Sequence, residues 1–465
     1  MKLSELLNKI NIKKEVVKDL DINKITKDSR KCNESTIYFN INKKYLNSAI
    51  KNKVKVIITD DDYFNDELIV IKVSKLFDVY VRTLKLLYLN YNPTIIGITG
   101  TSGKTTTTTL LYETLKLTKK NILLIGTDGN FKYINNLEII TGTVNTTPDI
   151  EVIYELLGSD IFDYVILEVS SQGLVNKRIS GILFDIAVFL NLSNEHLDFH
   201  KTINNYFTSK LLLFKQIKSN GVALINDNLL YKDKIMKTCK KCYTFGINKG
   251  NYQISYQEVS LETMKIKIQD KWVFTQLTGS YNAENICAVY AILKLLKINY
   301  NYLIKCLNNG FKVSGRLDMI NYKNNKIIVD FAHTEKEVLV LLQYLKKYCQ
   351  NNFYVIIGCG GDRDPYKRPV IGSLATQYAD LVIFTEDNSR SENPVNIIND
   401  MLKETSTNNY KIILDRYEAI KQGISLLKNE DILVVIGKGL EVTVINNKLY
   451  TDMQIIKEVI EYGQV

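Results

Sequence analysis

The sequence predicts an α/β protein with three domains, and three observations support this prediction. Its 465 residues suggest about three domains at roughly 150 residues each. Hydrophobic residues make up 45% and charged residues 24%, as is typical of a globular chain that buries real cores. From Pro93 onward, short β-branched runs alternate with amphipathic helical stretches. Such alternation favours parallel sheets covered by helices.

The order of these elements divides the chain into three predicted domains. Pro93 separates a helical pattern over residues 79–91 from an apolar strand, and alternation resumes after Gly315. We therefore expect a small mixed α/β unit at residues 1–92, a central unit at 93–313 and a C-terminal unit at 314–465. Residues 264–268 alternate in a way that favours exposed antiparallel strands. The other predicted strands are residues 95–99, 121–125, 164–169, 186–190, 222–225, 326–330, 353–357, 381–385, 412–414 and 432–436.

Charge and cysteine content exclude several classes of protein. The net charge is +10, but the basic residues are dispersed and accompany no nucleic-acid-binding motif. No apolar run approaches the roughly 18 residues that a membrane span needs, and the charged N-terminal segment lacks the features of a secretory signal. We therefore expect a cytoplasmic protein without membrane insertion. Seven cysteines argue against a disulfide framework, and Cys239 and Cys242 lack a second pair at zinc spacing.

The strongest chemical signal is a phosphate-binding loop. Residues 97–106 read GITGTSGKTT, between an apolar strand and a helical pattern. Glycines allow backbone N–H groups to surround phosphate oxygens, and the following helix N-terminus favours negative charge. We expect Lys104 to contact the β- and γ-phosphates and Thr105 to contact Mg²⁺.

Other candidate residues cannot be assigned by spacing alone. Glu168 ends a predicted strand, where a carboxylate could bind Mg²⁺ or lie on the surface. His196 and His200 are spaced for one helix face, but they lack the metalloprotease pattern and fit polar loop residues better. His333 follows a strand, at a position suited to ligand binding. Lys210 fits a helix lysine whose stem packs on apolar neighbours.

Three loops in the C-terminal unit each follow a predicted strand. They span residues 358–369, 387–390 and 437–441, and they combine glycines with arginines and carboxylates. The carboxyl ends of parallel strands lie at one edge of a sheet, so these loops should meet there. Mixed Arg and carboxylate groups would suit a zwitterion such as an amino acid.

Taken in order, these motifs resemble those of the Mur ligase family, over nearly the whole chain and most strongly from residue 94. The resemblance implies a UDP-sugar-binding domain, a central P-loop ATPase domain and a C-terminal Rossmann-like domain. It implies that ATP phosphorylates a substrate carboxylate and that an amino acid then attacks the acyl phosphate. The implied reaction adds a diamino acid to UDP-N-acetylmuramoyl-L-alanyl-D-glutamate in peptidoglycan synthesis. The protein is expected to act as a monomer.

The resemblance also assigns roles to individual residues. It implies that Lys104, Glu168, His196 and Lys210 are catalytic, with Lys210 carbamylated by CO₂. It implies that Thr105, Glu168, His196 and carbamylated Lys210 hold Mg²⁺. The implied ATP-binding residues are Gly100, Thr101, Ser102, Gly103, Lys104, Thr105, Thr106, Asn285, Arg316 and Asp330. The implied UDP-sugar-peptide residues are Ser29, Asn145, Thr146, Thr147, Ser170, Asn176 and Arg178. The implied amino-acid-binding residues are Arg368, Asp387, Asn388, Ser389, Arg390, Gly437 and Glu441.

The nature of the amino acid depends on Arg390. The resemblance implies that this arginine binds the second carboxylate of meso-2,6-diaminopimelate, which lysine lacks. Ser389 and Leu440 stand where the family usually has Pro and His, and Gln172 stands where His is frequent. The segment over residues 40–46, near the expected uridine site, is short. A related amide ligase with another amino acid, such as L-lysine, or another acceptor therefore remains an alternative. A non-catalytic nucleotide-binding scaffold conflicts with the joint presence of Lys104, Glu168, His196 and Lys210.

Overall fold

Three main sheets follow one another along the chain, which confirms the predicted α/β fold class. The computed structural model describes residues 1–14, 19–142, 145–445 and 448–462. Most neighbouring strands in the three sheets run parallel, and helices cover them, as the alternation of strand and helix patterns requires.

The N-terminal unit contains a four-stranded parallel sheet. Its strands are β1 (Lys24–Thr26), β2 (Thr36–Phe39), β3 (Val56–Thr59) and β4 (Ile69–Lys72), in the spatial order β1-β2-β3-β4. Its helices are α1 (Leu3–Lys9), α2 (Leu46–Lys51) and α3 (Leu76–Tyr88). Every residue of β2 and β3 is buried, because parallel strands covered on both faces favour continuous β-branched and aromatic runs.

The central unit is built on an eleven-stranded sheet. Its strands are β5 (Thr94–Thr99), β6 (Ile122–Gly126), β7 (Gly129–Ile134), β8 (Leu137–Thr141), β9 (Tyr164–Glu168), β10 (Phe184–Phe189), β11 (Ile217–Asn226), β12 (Cys242–Ile247), β13 (Tyr252–Val259), β14 (Met264–Ile268) and β15 (Lys271–Thr275). The spatial order is β15-β14-β13-β12-β11-β10-β5-β9-β6-β7-β8. The parallel core places β5 between β9 and β10, so the carboxyl ends of these three strands lie side by side.

The helices of the central unit cover this sheet. They are α4 (Lys104–Lys116), α5 (Ile150–Leu157), α6 (Ser171–Val175), α7 (Leu197–His200), α8 (Ile203–Phe214), α9 (Lys232–Thr238), α10 (Ser280–Leu295) and α11 (Asn301–Asn308). Helix α10 is the most deeply embedded of these, with every residue from Asn285 to Leu293 buried. A helix that is apolar on nearly all sides belongs inside a core, and α10 packs against α4 and β13.

The C-terminal unit has a six-stranded sheet with the order β16-β17-β21-β18-β19-β20. These strands are β16 (Asp318–Tyr322), β17 (Asn325–Asp330), β18 (Phe353–Ile357), β19 (Leu381–Phe384), β20 (Tyr410–Ile412) and β21 (Ile432–Ile436), and a hairpin adds β22 (Thr443–Ile445) and β23 (Lys448–Tyr450). The helices are α12 (Glu335–Tyr348), α13 (Lys367–Tyr378), α14 (Pro394–Leu402), α15 (Arg416–Leu426) and α16 (Asp452–Tyr462). Within the described part of this sheet, only β16 runs antiparallel to its neighbour, and the other five strands are parallel.

The buried carboxylate of Glu151 joins the N-terminal and central units. Glu151 lies in the first turn of α5 and is 3% exposed. It accepts hydrogen bonds from Thr26 Oγ1 at 2.8 Å, from the Lys27 backbone N–H at 2.6 Å and from Tyr80 Oη at 2.8 Å. A buried carboxylate is tolerated when its oxygens are hydrogen-bonded, so this contact fixes how the two units sit together.

Most predicted strands agree with the structure to within two residues, and the strand predicted at residues 412–414 is β20, which begins and ends two residues earlier. The exception is the strand predicted at residues 222–225, because β11 already begins at Ile217. Residues 264–268 form the predicted antiparallel strand, but its alternate side chains are buried, so it is exposed on one face at most. Among the described residues, no helix is long and apolar enough to cross a membrane.

Candidate active site

A cleft of about 1230 Å³ opens at the carboxyl ends of the central strands and faces the C-terminal unit. Residues of both units line it, among them the phosphate loop after β5 and the loops after β18, β19 and β21. In parallel sheets, ligands bind outside the carboxyl ends of the strands. The position of the cleft therefore agrees with the chemistry predicted for these loops.

The phosphate loop connects β5 directly to α4. Gly103 precedes the helix with φ +79°, and a Cβ atom there would lie 2.5 Å from Asn285 Oδ1. Glycine is therefore required both by the left-handed backbone and by the close approach of Asn285. Asn191 holds the loop from the end of β10, since its Oδ1 accepts from the Ser102 N–H at 2.9 Å. These contacts fix the loop with the N-terminus of α4 at the cleft.

Glu168 ends β9 beside the phosphate loop and is 1% exposed. Its carboxylate accepts from the hydroxyls of Thr105 and Thr108, each at 3.2 Å, and from Thr127 Oγ1 at 2.9 Å. Burial raises the pKa of Glu168, and the nearby charge of Asp128 raises it further. A buried carboxylate surrounded by hydroxyls is a set of oxygen donors suited to a hard cation.

Lys210 is 1% exposed and lies on α8, close to the phosphate loop. Its Nζ donates to the Gly100 carbonyl at 2.8 Å and lies 4.4 Å from the centroid of the Tyr206 ring. Lys104 Nζ donates to the same carbonyl at 2.9 Å. Burial lowers the pKa of Lys210 well below its usual value, and the charge of Lys104 lowers it further. The buried amine of Lys210 therefore favours the neutral, nucleophilic form.

His196 lies across the cleft from the C-terminal unit and has a left-handed backbone with φ +55°. Such a backbone is uncommon for residues other than glycine and is concentrated at functional sites. Burial lowers the pKa of His196. Its neighbour Glu195 approaches two imidazoles, with Oε1 3.4 Å from His196 Nε2 and 3.4 Å from His333 Nε2. Glu195 therefore links a loop of the central unit to the C-terminal unit.

Glu337 extends this polar cluster to the phosphate loop. It accepts a hydrogen bond from Ser102 Oγ at 2.6 Å, and its Oε2 lies 3.5 Å from His333 Nδ1. Burial acts to raise the pKa of Glu195, but the hydrogen bond from His333 and the charges of both imidazoles lower it below the usual range. Burial also acts to lower the pKa of His333, but Glu337 and Glu195 outweigh burial and raise it. The cluster therefore stabilises a charged imidazole between two carboxylates.

The remaining residues predicted to bind the nucleotide lie in both the central and the C-terminal unit. Asn285 is 5% exposed on α10 and donates to Asn282 Oδ1 at 2.9 Å. The Arg316 guanidinium lies 4.1 Å from the centroid of the Phe331 ring. Asp330 accepts from the backbone N–H groups of Leu317 and Ala332, at 2.7 and 2.8 Å. Asn285, Arg316 and Asp330 all line the cleft.

The loops after β18, β19 and β21 meet at one rim of the cleft, because these strands are neighbours in the C-terminal sheet. Gly437 has φ +115°, and a Cβ atom there would lie 2.6 Å from Asp387 Oδ2. Asn388 donates to Glu441, and Arg390 donates to the Gly361 carbonyl at 2.5 Å. The rim residues Asp387, Asn388, Arg390, Gly437 and Glu441 all line the cleft.

Two predicted amino-acid residues do not lie on this rim. Arg368 belongs to the first turn of α13, is 1% exposed and bonds to Glu392 and Asp400 through three contacts of 2.7 to 2.9 Å. Ser389 is 7% exposed and donates to Glu386. The Arg368 guanidinium therefore has partners within the fold, and its assignment to ligand binding stays a prediction. Arg363, five residues earlier, lines the cleft.

The predicted UDP-sugar-peptide residues fall into two groups. Asn145, Thr146, Ser170 and Arg178 line the cleft. Thr147 lies behind them, 1% exposed, and donates to the Glu168 carbonyl at 2.8 Å. Asn176 is exposed at the end of α6, and Ser29 is buried in the N-terminal unit beside Ser48. The structure thus brings four of the seven together at the cleft and leaves Ser29, Thr147 and Asn176 away from its lining.

Comparison with known proteins identifies the family. Residues 98–293 match the Mur ligase middle domain, and residues 315–439 match the Mur ligase glutamate ligase domain. A UDP-N-acetylmuramoyl-L-alanyl-D-glutamate--2,6-diaminopimelate ligase of Clostridium tetani is 34% identical over 501 aligned positions, with 99% of each chain covered. The chain belongs to the Mur ligase family. Its members are ATP-dependent amide ligases, so the resemblance predicted from the motifs is confirmed.

Solved structures agree with this assignment. A UDP-N-acetylmuramoyl-L-alanyl-D-glutamate--2,6-diaminopimelate ligase is 26% identical with a TM-score of 0.68, and the match covers 100% of this chain and 99% of that one. A MurF ligase of Thermotoga maritima, solved in complex with ADP, has a TM-score of 0.65 at 17% identity and covers 96% of this chain and 100% of that one. At that identity, the second likeness supports the fold alone.

Several cleft residues of this Mur ligase escaped the sequence-based assignment. Glu195, Glu337, Asp128 and Arg363 all line the cleft. Glu195 could have been noticed beside His196, but the contact between Glu337 and Ser102 joins residues 235 positions apart. Within the described residues, no group of three or more His, Cys, Asp or Glu side chains is arranged to hold a metal ion.

Proposed function

We propose that this chain joins meso-2,6-diaminopimelate to UDP-N-acetylmuramoyl-L-alanyl-D-glutamate, with ATP converted to ADP and phosphate. The observation that carries the proposal is one cleft lined by a phosphate loop and by a rim of arginines and carboxylates. The substrates are those for which the relatives are named. The proposed domain boundaries remain 1–92, 93–313 and 314–465, and the proposed location is the cytoplasm.

The proposed chemistry has two steps. A carboxylate oxygen of the acceptor attacks the γ-phosphorus of ATP, and the bond from phosphorus to the bridging oxygen breaks to release ADP. The neutral amine of the amino acid then attacks the acyl carbon, phosphate leaves with its bonding electrons, and the nitrogen loses a proton. Lys104, which hydrogen-bonds to the Gly100 and Thr101 carbonyls, would exchange these partners for phosphate oxygens and offset their charge.

Two groups of residues would hold Mg²⁺. Thr105 and Glu168 supply adjacent oxygen donors, separated by 3.2 Å. The raised pKa of Glu168, caused by burial, indicates a carboxylate that a cation would stabilise. His196 and a carboxylated Lys210 would hold a second ion. When bound, Mg²⁺ would neutralise part of the charge of the phosphate oxygens.

The proposed carbamate on Lys210 follows from the state of its amine. Carbamylation requires a neutral amine, whose nitrogen attacks the carbon of CO₂ and then loses a proton. Burial and the charge of Lys104 lower the pKa of Lys210 and therefore favour this neutral form. The product is an anion near Lys104, so the modification adds a negative charge that the ammonium of Lys104 attracts.

The choice of amino acid rests on the arginines of the rim. Arg363 and Arg390 line the cleft together with Glu441. The second carboxylate of diaminopimelate would bind to the two N–H groups of a guanidinium on this rim. Lysine has no second carboxylate and would place only its ammonium beside the arginines. We therefore favour diaminopimelate over lysine as the added amino acid.

The test measures phosphate release by the purified protein and, in parallel, the mass of the product. Diaminopimelate and L-lysine are compared, each with and without the UDP-dipeptide. We expect phosphate release only when diaminopimelate and the UDP-dipeptide are both present. The product should be heavier than the UDP-dipeptide by the mass of diaminopimelate minus one water. A lysine product would identify the lysine-adding alternative. Release with an amino acid but without the UDP-dipeptide would contradict the proposed acceptor.

A further inference from the structure

A carboxylate of the C-terminal unit occupies the phosphate loop of the central unit. Ser102 Oγ donates to Glu337 Oε1 at 2.6 Å, which is a short, charge-assisted hydrogen bond. The side chain of Glu337 is 24% exposed, and both residues line the cleft. Ser102 belongs to the turn whose donors are expected to receive nucleotide phosphates. An anion of the protein itself therefore takes one of these donors.

The position of Glu337 in its helix explains only one of its two oxygens. Glu337 is the third residue of α12 and forms a capping box with Thr334. Its Oε2 accepts from the backbone N–H groups of His333 and Thr334, each at 3.3 Å. Such a cap requires one acceptor oxygen and works equally well with Glu or Gln. Helix capping therefore accounts for Oε2, but it does not account for the contact of Oε1 with Ser102 or for the negative charge.

A negative charge at this place opposes the binding of a triphosphate. Like charges a few ångströms apart repel strongly when they are partly shielded from water. Part of the charge of Glu337 is balanced by His333, whose Nδ1 lies 3.5 Å away. The hydroxyl of Ser102 nevertheless cannot serve the carboxylate and a phosphate oxygen in the same geometry. A phosphate oxygen that takes the Ser102 hydroxyl would therefore break its contact with Glu337.

We infer that Glu337 acts as an internal competitor for the phosphate loop and sets the affinity of this ligase for ATP. Its carboxylate holds the loop to the N-terminus of α12. ATP displaces Oε1 from Ser102, while Oε2 keeps its contacts with the cap. The arrival of ATP thereby removes one link between the central and C-terminal units. This inference rests on the proposed binding of ATP at this loop.

The matched pair of variants is Glu337→Gln and Glu335→Gln. Both remove one negative charge from the first turn of α12, and Gln keeps an acceptor for the capping box. Among the described residues, Glu335 makes no hydrogen bond to the phosphate loop. We expect Glu337→Gln to lower the Kd for ATP and for ADP by about tenfold, as the loss of a nearby like charge allows. Glu335→Gln should change either Kd by less than about twofold, since its carboxylate shares no hydrogen bond with the described loop.

Isothermal titration calorimetry with ATP and with ADP gives these constants at one fixed salt concentration. The same variants are compared in steady-state ligation, where Glu337→Gln should lower the KM for ATP because it removes a competitor of nucleotide binding. Glu337→Ala removes the charge independently, should the Gln variant be unstable. Equal Kd values for wild type and both Glu337 variants overturn the inference. The inference is also overturned if Glu335→Gln lowers the Kd as much as Glu337→Gln does, because the loss of any negative charge in this helix turn would then explain the effect.

A double-variant cycle tests whether the effect depends on contact with Ser102. In a Ser102→Ala background, Glu337→Gln should tighten nucleotide binding less than it does in the wild-type background, because the shared hydrogen bond is already gone. If Glu337→Gln lowers the Kd by the same factor in both backgrounds, the effect does not depend on the hydrogen bond to Ser102. If the wild-type protein binds no ATP at all, both the proposed function and this inference fail. If it binds ATP and the Glu337 variants bind equally well, only this inference fails.

Discussion

Replacing Arg368 should destabilise the C-terminal unit without weakening a binding site. The guanidinium is buried, with three charge-assisted contacts to Glu392 and Asp400 and a longer one of 3.3 Å to the Gly360 carbonyl. Breaking a buried ion pair costs about 3–5 kcal/mol. The two carboxylates are 32% and 26% exposed, so water can reach them after the change. We therefore expect a loss near the lower limit, about 3 kcal/mol, for Arg368→Met.

For a domain of roughly 150 residues, such a loss corresponds to about 6–12 °C in Tm. Differential scanning calorimetry of the whole chain measures this shift. The matched control is Arg363→Met in the loop that precedes α13, where the guanidinium lines the cleft. It should change stability by less than about 0.5 kcal/mol and raise the KM for diaminopimelate instead. An unchanged Tm for Arg368→Met, together with a raised KM for the amino acid, would refute the reasoning and return Arg368 to the binding site.

Four other predictions concern the cleft and its support. Lys210→Ala should abolish ligation because the proposed carbamate is lost, and added acetate should restore part of the rate; a fully active variant, or wild-type activity that is indifferent to removal of CO₂, would contradict carbamylation. Arg390→Ala should raise the KM for diaminopimelate by about tenfold or more through loss of a carboxylate fork, with the KM for ATP nearly unchanged; equal effects on both would remove this assignment. Glu168→Gln should raise the Mg²⁺ concentration needed for half-maximal rate, and an unaltered Mg²⁺ dependence would exclude Glu168 as a ligand. Glu151→Gln should reduce stability by about 2 kcal/mol, because a buried acceptor of several hydrogen bonds is replaced by a weaker one, and an unchanged Tm would contradict its role between the units.

The sequence predicts local features of this protein well. The phosphate loop is visible because its glycines, lysine and threonine lie together between a strand and a helix, and the strand at residues 353–357 has the predicted bounds. The strand near residue 412 is displaced because β20 is short and its side chains are partly exposed, so its hydrophobic pattern is weak. Local patterns thus locate buried strands more accurately than exposed edge strands.

Contacts between distant parts of the chain are harder to predict. Arg363 and Arg368 are five residues apart in the sequence, and α13 begins between them at Lys367. Arg363 therefore lies in the loop at the cleft, whereas Arg368 lies in the helix and is buried. Glu337 looks like an ordinary helix-capping residue, which it also is. Its second contact, with Ser102, depends on how two domains meet. No periodicity or spacing within either segment carries that information.

The most direct test of the account is to follow oxygen from the acceptor carboxylate. The UDP-dipeptide is prepared with oxygen-18 in its reacting carboxylate, and the phosphate released during ligation is analysed by mass spectrometry. Activation through an acyl phosphate predicts that each phosphate carries one labelled oxygen. Amide formation with unlabelled phosphate would contradict the central claim that ATP at this loop phosphorylates the carboxylate.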